Sequence, residues 1–174
     1  MVLKAWRFAT LLLAALALTM TSAHVLELPQ KLEYGPELYA TVNTTLYRYF
    51  AIVGGAYTVS ATVAAAGLAY LVRRRGKVFR WTLTGAACLV LAFISWLVLV
   101  QPVNREIAEA LRVAPESVPA LWMQLRSRWE LGHAVGFVIQ LLGYGALLGG
   151  ALIDTPDRPA IDEARGTWSG RVPG

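Results

Sequence analysis

Four long apolar stretches in a chain of 174 residues restrict the fold more than any other feature of the sequence. The hydrocarbon core of a bilayer is about 30 Å thick, and a helix needs about 20 mainly apolar residues to cross it. The stretches occupy residues 8–23, 49–72, 81–100 and 131–153, and the last three contain no Asp, Glu, Lys or Arg. Because a charge at the centre of a spanning helix is costly, the sequence predicts an all-α bundle of four transmembrane helices.

The distribution of basic residues predicts how this bundle lies in the membrane. Seven of them lie in the N-terminal segment and in the link between the second and third spans: Lys4, Arg7, Arg73, Arg74, Arg75, Lys77 and Arg80. In the longer segments after the first and third spans, acidic residues offset the basic ones. Because short cytoplasmic loops carry an excess of Lys and Arg, both termini are expected in the cytoplasm and the two longer loops outside. The expected location is the plasma (inner) membrane, and the net charge of +5 needs no nucleic-acid partner.

The first span has a second interpretation as a cleaved signal peptide, because basic residues precede it and small residues occupy 21–23. The apolar character resumes beyond that point, at Val25 and Leu26, which favours a retained helix. The C-terminal residues are rich in Pro, Gly and charge and have no apolar period. We therefore predict a transmembrane domain over 1–153 and a flexible cytoplasmic tail over 154–174.

Polar residues are predicted to gather at the outer end of the bundle. His24 and Glu27 follow the first span, Asn104 follows the third, and a polar run that ends at His133 opens the fourth. Antiparallel packing of the helices is expected to bring these segments to one depth. An imidazole one turn inside a span faces the bundle interior rather than lipid. Both histidines of the chain are therefore expected at the same end of the bundle.

Helical spacing suggests a role for each residue of this group. His24 and Glu27 are three residues apart, as are Glu130 and His133, so each acid is placed to orient an imidazole. Trp129 precedes His133 by four residues and shares its face. The residues predicted to bind a substrate are Asn104, Arg126 and Trp129. The simpler alternatives are anchoring at the membrane interface for the tryptophan, and solvation or binding of lipid headgroups for the arginine.

Three kinds of chemistry fit this group. The imidazoles and carboxylates are suited to a transition metal, with the ligand set His24, Glu27, Glu130 and His133. The two histidines alone are suited to axial ligation of a haem. Without any cofactor, either histidine is suited to act as a general base that converts an aromatic hydroxy compound into an oxygen-reactive carbanion. The residues do not select among these, so the cofactor is left open.

Three short motifs in this group resemble the DUF1772 family, the membrane family that includes anthrone oxygenase-like proteins of polyketide biosynthesis. The motifs are His24-x-x-Glu27-x-Pro29 after the first span, Pro102-x-Asn104 after the third and Arg128-Trp129-x-x-x-His133 at the fourth. The resemblance extends from the first span through the fourth. It implies a four-helix membrane protein that is, in some members, an oxygenase converting an anthrone to an anthraquinone with O2.

The resemblance also implies a function for this chain. The site residues that it implies are His24, Glu27, Asn104, Trp129 and His133. Gly136 departs from the pattern, because a basic residue is expected there in many relatives. The resulting hypothesis is a membrane oxidoreductase that oxidises a lipophilic, aromatic small molecule near the outer face, in a pocket between the first, third and fourth spans.

The alternative hypothesis is a non-catalytic membrane subunit, or a protein that binds haem, a metal or lipid. In that case the outer segment 101–128 is expected to dock a partner membrane protein or a second copy of the chain. The lipid bilayer is a partner under both hypotheses.

Overall fold

The computed structural model of the protein describes residues 1–155, and within this range it contains helices and turns but no strand. The helices are α1 (Val2–Leu32), α2 (Pro36–Thr45), α3 (Arg48–Val72), α4 (Gly76–Ser95), α5 (Gln101–Val113) and α6 (Val118–Ile153). A π-helical turn, Trp96–Val100, joins α4 to α5, and a 3-10 turn, Pro115–Ser117, precedes α6. The predicted C-terminal tail lies outside the described residues from 156 onward.

Four helical segments are long and apolar enough to cross a membrane: Val2–Leu32, Tyr49–Val72, Gly76–Val113 and Pro115–Ile153. The predicted all-α class with four long apolar helices is confirmed. These segments are consistent with a multi-pass membrane protein.

The third and fourth of these helical segments, Gly76–Val113 and Pro115–Ile153, extend well beyond the apolar stretches 81–100 and 131–153 that they contain. They contain 38 and 39 residues, which at about 1.5 Å per residue gives roughly 57 Å, nearly twice the thickness of a bilayer core. The π-helical turn lies just before Pro102, whose ring removes one backbone donor at the start of α5. The two segments predicted as outer loops, residues 24–48 and 101–130, are therefore mostly helical. The end of α1 and α2 cover the first, and α5 and the start of α6 cover the second.

The four long helices form a ring in which α1 packs on α3 and α6, and α4 packs on the same two neighbours. Glycines allow the closest of these contacts. A Cβ atom built at Gly85 would lie 2.6 Å from Leu147 and 2.9 Å from the Gly143 carbonyl. One at Gly143 would lie 2.8 Å from Cys88. Because only hydrogen fits at these positions, α4 and α6 approach closely, as helices in membranes commonly do.

Ion pairs close the end of the bundle that carries the N-terminus of α1. Asp154, just after α6, accepts hydrogen bonds from Arg7 on α1 and from Arg75, 2.7 Å away, in the turn between α3 and α4. Nearby, the Trp6 indole donates to the Ala64 carbonyl at 2.9 Å. One carboxylate therefore holds three chain segments together at this basic end.

These contacts predict a pH-dependent contribution to stability. The Arg7 and Arg75 guanidinium groups hold the pKa of Asp154 below its usual value. A carboxyl with a lowered folded-state pKa stabilises the protein above its unfolded pKa, about 3.9, and the contribution is lost as pH falls through the folded value. Asp154→Asn is therefore expected to reduce the free energy of unfolding at pH 7 by on the order of 1 kcal/mol, which is measured as a lower thermal midpoint.

The difference between Asp154→Asn and the unmodified protein is expected to vanish when both are melted well below pH 4. Glu116→Gln removes an exposed carboxylate from the opposite end and is the matched control. An equal effect of both substitutions at pH 7 would show that overall charge, rather than the ion pairs, determines the midpoint.

Candidate functional site

A cavity of about 470 Å³ lies between the helices at the end opposite the basic end. Its wall is formed by α1, α3, α6 and the continuous helical segment Gly76–Val113, here called the α4–α5 rod. Asn43 and Thr44 of α2 lie at one edge. Most of the lining is apolar or aromatic, including Phe50, Phe93 and Trp96. The pocket was predicted between the first, third and fourth spans, and that prediction omitted α3, which supplies one whole wall.

The two histidines lie in contact on the wall of this cavity. His24 on α1 is 6% exposed and His133 on α6 is 8% exposed. Their ring centroids are 4.1 Å apart with the planes at 48°. They meet because α1 and α6 run antiparallel, with Arg7 and Asp154 paired at the other end. Residues 109 positions apart in sequence are thus neighbours in the fold.

The hydrogen bonds of the two imidazoles determine which nitrogens remain available. His133 Nδ1 lies 2.9 Å from the Trp129 carbonyl oxygen. A carbonyl only accepts, so in the neutral ring Nδ1 carries the proton and Nε2 keeps its lone pair. His24 Nδ1 is enclosed and has no hydrogen-bond partner among residues 1–155. Buried groups without partners are rare in native proteins, and a catalytic role or a bound water is the usual reason for one.

Aromatic rings surround the imidazole pair. The Trp129 ring lies 4.1 Å from the His133 centroid and 5.1 Å from the His24 centroid, nearly perpendicular to the latter. Tyr47, just before α3, and Phe50 on α3 cover the other side of His24. Their ring centroids lie 4.7 and 5.8 Å from that of His24. These contacts fix the orientation of the rings and exclude water from one side of the pair.

Asn104 on α5 is held in a defined orientation by Trp129. The indole Nε1 donates to Asn104 Oδ1 at 2.9 Å. Because an indole nitrogen is only a donor, the amide oxygen must face it, and the Asn104 NH2 group remains as a donor. Asn104 lines the cavity. The site therefore combines a lone pair on His133 with an amide donor on Asn104.

A buried ion pair lies beside this site. Lys31 Nζ is 2.8 Å from Glu130 Oε1, with side chains only 2% and 6% exposed. The Tyr39 hydroxyl donates to the same oxygen at 2.7 Å, and burial together with the Glu130 carboxylate raises the pKa of Tyr39 above its usual value. The ammonium also lies 4.5 Å from the Trp129 ring centroid and 4.8 Å from that of Tyr47. These contacts connect α1, α2 and α6.

The predicted acid–imidazole pairs are not formed. Glu130 faces Lys31 and Tyr39 rather than His133, and Glu27 accepts a hydrogen bond from the Tyr47 hydroxyl. Neither acid lines the cavity. Lys31, which follows His24 by seven residues on the same helical stripe, offers the Glu130 carboxylate an opposite charge, and the Tyr47 hydroxyl offers Glu27 a donor.

Arg126, predicted to bind substrate, also lies outside the cavity. Its guanidinium donates to the Leu32 carbonyl at 3.3 Å and lies 5.6 Å from the Tyr39 ring centroid. The end of α1 and the helix α2 therefore separate Arg126 from the imidazoles. Of the predicted residues, those that line the cavity are His24, Asn104, Trp129 and His133.

The geometry bears on the two cofactor alternatives. Within the described part of the chain, no group of three or more His, Cys, Asp or Glu side chains is placed to hold a metal ion. The predicted set of His24, Glu27, Glu130 and His133 is not assembled, because the carboxylates have other partners. Axial ligation of a haem would put the macrocycle between the imidazoles. Rings with centroids 4.1 Å apart do not fit that arrangement.

Sequence reasoning missed several residues of the site. Gln140, two turns after His133, accepts a hydrogen bond from Thr21 at 2.9 Å, and both line the cavity. A polar residue inside an apolar span was a usable signal for Gln140. Tyr39 and Tyr47 had no comparable signal, because their positions depend on how α2 folds over the bundle.

Comparison of the chain with protein-family models, with characterised proteins and with solved structures found no match. The resemblance to the DUF1772 family therefore stays a prediction. A functional assignment has to rest on the cavity, on its two imidazoles and on the oriented amide of Asn104.

Proposed function

We propose that the protein is a multi-pass membrane oxygenase that oxidises a lipophilic hydroxyaromatic molecule, similar to the anthrone oxygenases that the DUF1772 resemblance suggests. The observation that carries the proposal is the buried contact between His24 and His133 on the wall of a largely apolar cavity of about 470 Å³. An apolar cavity with a few convergent polar groups is the usual form of a small-molecule site. The size of this cavity lies within the range typical of such sites.

The chemistry requires a base, a donor for a developing negative charge, and O2 as the oxidant. His133 Nε2 removes one methylene proton of an anthrone-type substrate, and the Asn104 NH2 group donates to the ring carbonyl as it becomes an enolate. The carbanion adds O2, and the peroxide takes the proton back from the imidazole. Loss of the second hydrogen with cleavage of the O–O bond releases water and leaves a new carbonyl. One anthrone and one O2 thus give one anthraquinone and one water.

Helix lengths support the proposed membrane setting. His24 follows Arg7 by 17 residues and His133 precedes Asp154 by 21, so the imidazoles lie about 25–32 Å along their helices from the ion pairs of the basic end, by the rise of 1.5 Å per residue. This distance is close to one bilayer core, which supports a position of the imidazoles near the interface opposite Arg7 and Arg75. With the basic end in the cytoplasm, both termini are cytoplasmic and the cavity lies near the outer face of the plasma membrane. A lipophilic substrate dissolved in the outer leaflet then reaches it without crossing the membrane.

The test uses anthrone itself as the probe. Protein purified into lipid nanodiscs is mixed with anthrone in air-saturated buffer, and anthraquinone is quantified by chromatography. Formation faster than in protein-free nanodiscs is the expected result. A rate equal to that of the empty nanodiscs would argue against oxidation of this substrate class.

Gly136 provides a way to fill the cavity without replacing either imidazole. It lines the cavity, and a Cβ atom there would meet only Ser95 Oγ, at 3.9 Å. Gly136→Leu is therefore expected to fit the helix packing, fill part of the cavity and weaken binding of anthrone at least tenfold, roughly 1.4 kcal/mol. Quenching of tryptophan fluorescence in nanodiscs measures this binding.

Gly145→Leu is the matched control for Gly136→Leu. Gly145 is on the same helix, is exposed, and has no atom within 4 Å of a built Cβ. It is not among the cavity-lining residues. Equal binding by both variants would place the ligand elsewhere on the protein.

A non-catalytic binding protein for lipophilic molecules is the second candidate. The apolar lining of the cavity favours it as much as it favours an enzyme, because the lining alone provides affinity without chemistry. Saturable binding of anthrone that is lost in Gly136→Leu, together with no oxidation above the blank, would identify this second function.

A further inference from the structure

A second concavity lies far from the histidines, between α3 and α4 at the basic end. It encloses about 450 Å³ and opens toward the outside of the bundle. Its floor consists of small side chains, among them Ala66, Ala69, Ala86 and Ala87, and its walls include Tyr70 and Leu83. Small side chains on the facing sides of two helices leave a groove between them, and a hydrocarbon chain fits such a groove.

One arginine lines this groove on the α3 side, and helical spacing puts a second on the flank of α4 that faces the groove. Arg73 lines it directly and stacks on Tyr70 with its Cζ 3.9 Å from the ring centroid. One Arg73 nitrogen donates to the Tyr70 carbonyl at 2.8 Å, and the other donors of the guanidinium remain. Arg80 precedes the groove residues Leu83 and Ala87 by three and seven positions, so it lies on the same flank of α4.

The turn between α3 and α4 keeps the two arginines together. Gly76 has a φ of +41°, a left-handed conformation that glycine adopts readily, and this allows a link of only three residues. Among residues 1–155, Asp154 is paired with Arg7 and Arg75, and no ion pair involves Arg73 or Arg80. A concentrated positive charge thus borders an apolar groove, on a surface that faces lipid in the proposed membrane setting.

We propose that this groove binds one acyl chain of an anionic phospholipid, whose phosphate is held between Arg73 and Arg80. Arginine is suited to this role because its planar donors match phosphate oxygens. Basic pockets between transmembrane helices are a common form of anionic lipid site. The site is independent of the cavity that contains the histidines, and it is expected to hold its lipid whether or not that cavity is catalytic.

The experiment counts lipids that stay bound in detergent. Protein is equilibrated with equal amounts of phosphatidylglycerol and phosphatidylcholine that have identical acyl chains, and bound lipids are counted by native mass spectrometry. One phosphatidylglycerol retained in preference to phosphatidylcholine is the expected result. Each arginine near an anionic headgroup contributes about fivefold in affinity, so Arg73→Gln/Arg80→Gln is expected to bind about 25-fold more weakly.

Two further variants separate a built site from diffuse charge. Arg74→Gln/Lys77→Gln removes the same charge at the same end, but neither residue lines the groove and Lys77 lies off the stripe of Arg80, Leu83 and Ala87, so this variant is expected to retain the lipid. Ala87→Phe fills the groove without changing charge and is expected to lose it. Equal retention of the two lipids, an equal loss in both double variants, or full retention by Ala87→Phe would each overturn the proposal.

Discussion

Replacing His133 with alanine is expected to reduce the oxidation of anthrone by about 10²–10⁴-fold, the usual contribution of a general base. The His133 Nδ1–H is used by the Trp129 carbonyl, so Nε2 is the nitrogen left to accept the substrate proton. Its loss removes the base but leaves the apolar wall of the cavity in place. The rate is measured as anthraquinone formed per minute by each variant in nanodiscs.

The same preparation needs a readout that shows an intact fold. Elution as a single species and a thermal midpoint near that of the unmodified protein are expected for His133→Ala. Binding of anthrone, measured by tryptophan quenching, is expected to survive with little change, because the rate and not the affinity depends on the base. If His133→Ala and His24→Ala both turned over anthrone at the original rate, the imidazoles would have no part in the reaction.

Glu130→Ala is expected to destabilise the protein by about 3–5 kcal/mol, the usual cost of leaving one charge of a buried pair without its partner. The substitution would leave the Lys31 ammonium, 2% exposed, without its carboxylate. It would also remove the acceptor of the Tyr39 hydroxyl. The free energy of unfolding is measured by SDS titration in mixed micelles.

An apolar replacement of the whole group separates charge burial from lost packing. The triple variant Lys31→Met/Tyr39→Phe/Glu130→Met is expected to recover much of the stability, since buried ion pairs often exchange for hydrophobic residues at little cost. Glu109→Ala is the exposed control, because the Glu109–Arg112 pair is 60% and 72% exposed and contributes less than about 1 kcal/mol. A similar small effect of Glu130→Ala would mean that water reaches the pair.

Most of the fold was predictable from hydropathy, because the cost of burying charge in lipid makes long uncharged runs a strong signal. The ends of the helices were not predictable from hydropathy. The polar half of the α4–α5 rod and the N-terminal third of α6 form helices whose stability comes from packing on each other, around residues such as Val103, Ile107 and Trp122. Val103 and Ile107 of α5 are four residues apart, as on one face of a helix, but the sequence does not indicate what that face covers.

The candidate site was predictable to the level of one end of the bundle and of four cavity-lining residues. The hydrogen-bond and ion-pair partners of Glu27 and Glu130 were not predictable. Spacing within one helix gives the possible neighbours of a side chain but does not tell which of them it binds. Glu130 lies three residues before His133, yet it bonds to Lys31 and Tyr39 from two other helices. An opposite charge is a stronger partner for a carboxylate than an imidazole, and only the packing of α1 against α6 shows that one is present.

Oxidation of anthrone under oxygen gas labelled with oxygen-18 tests most directly whether the contact between His24 and His133 marks an oxygenase site. The chemistry proposed for His133 and Asn104 puts one labelled atom into the new carbonyl of each anthraquinone and the other into water. The expected result is labelled product that forms faster than in empty nanodiscs and falls to the background rate in His24→Ala/His133→Ala. Product without label, or labelled product formed equally fast by the double histidine variant, would contradict the assignment.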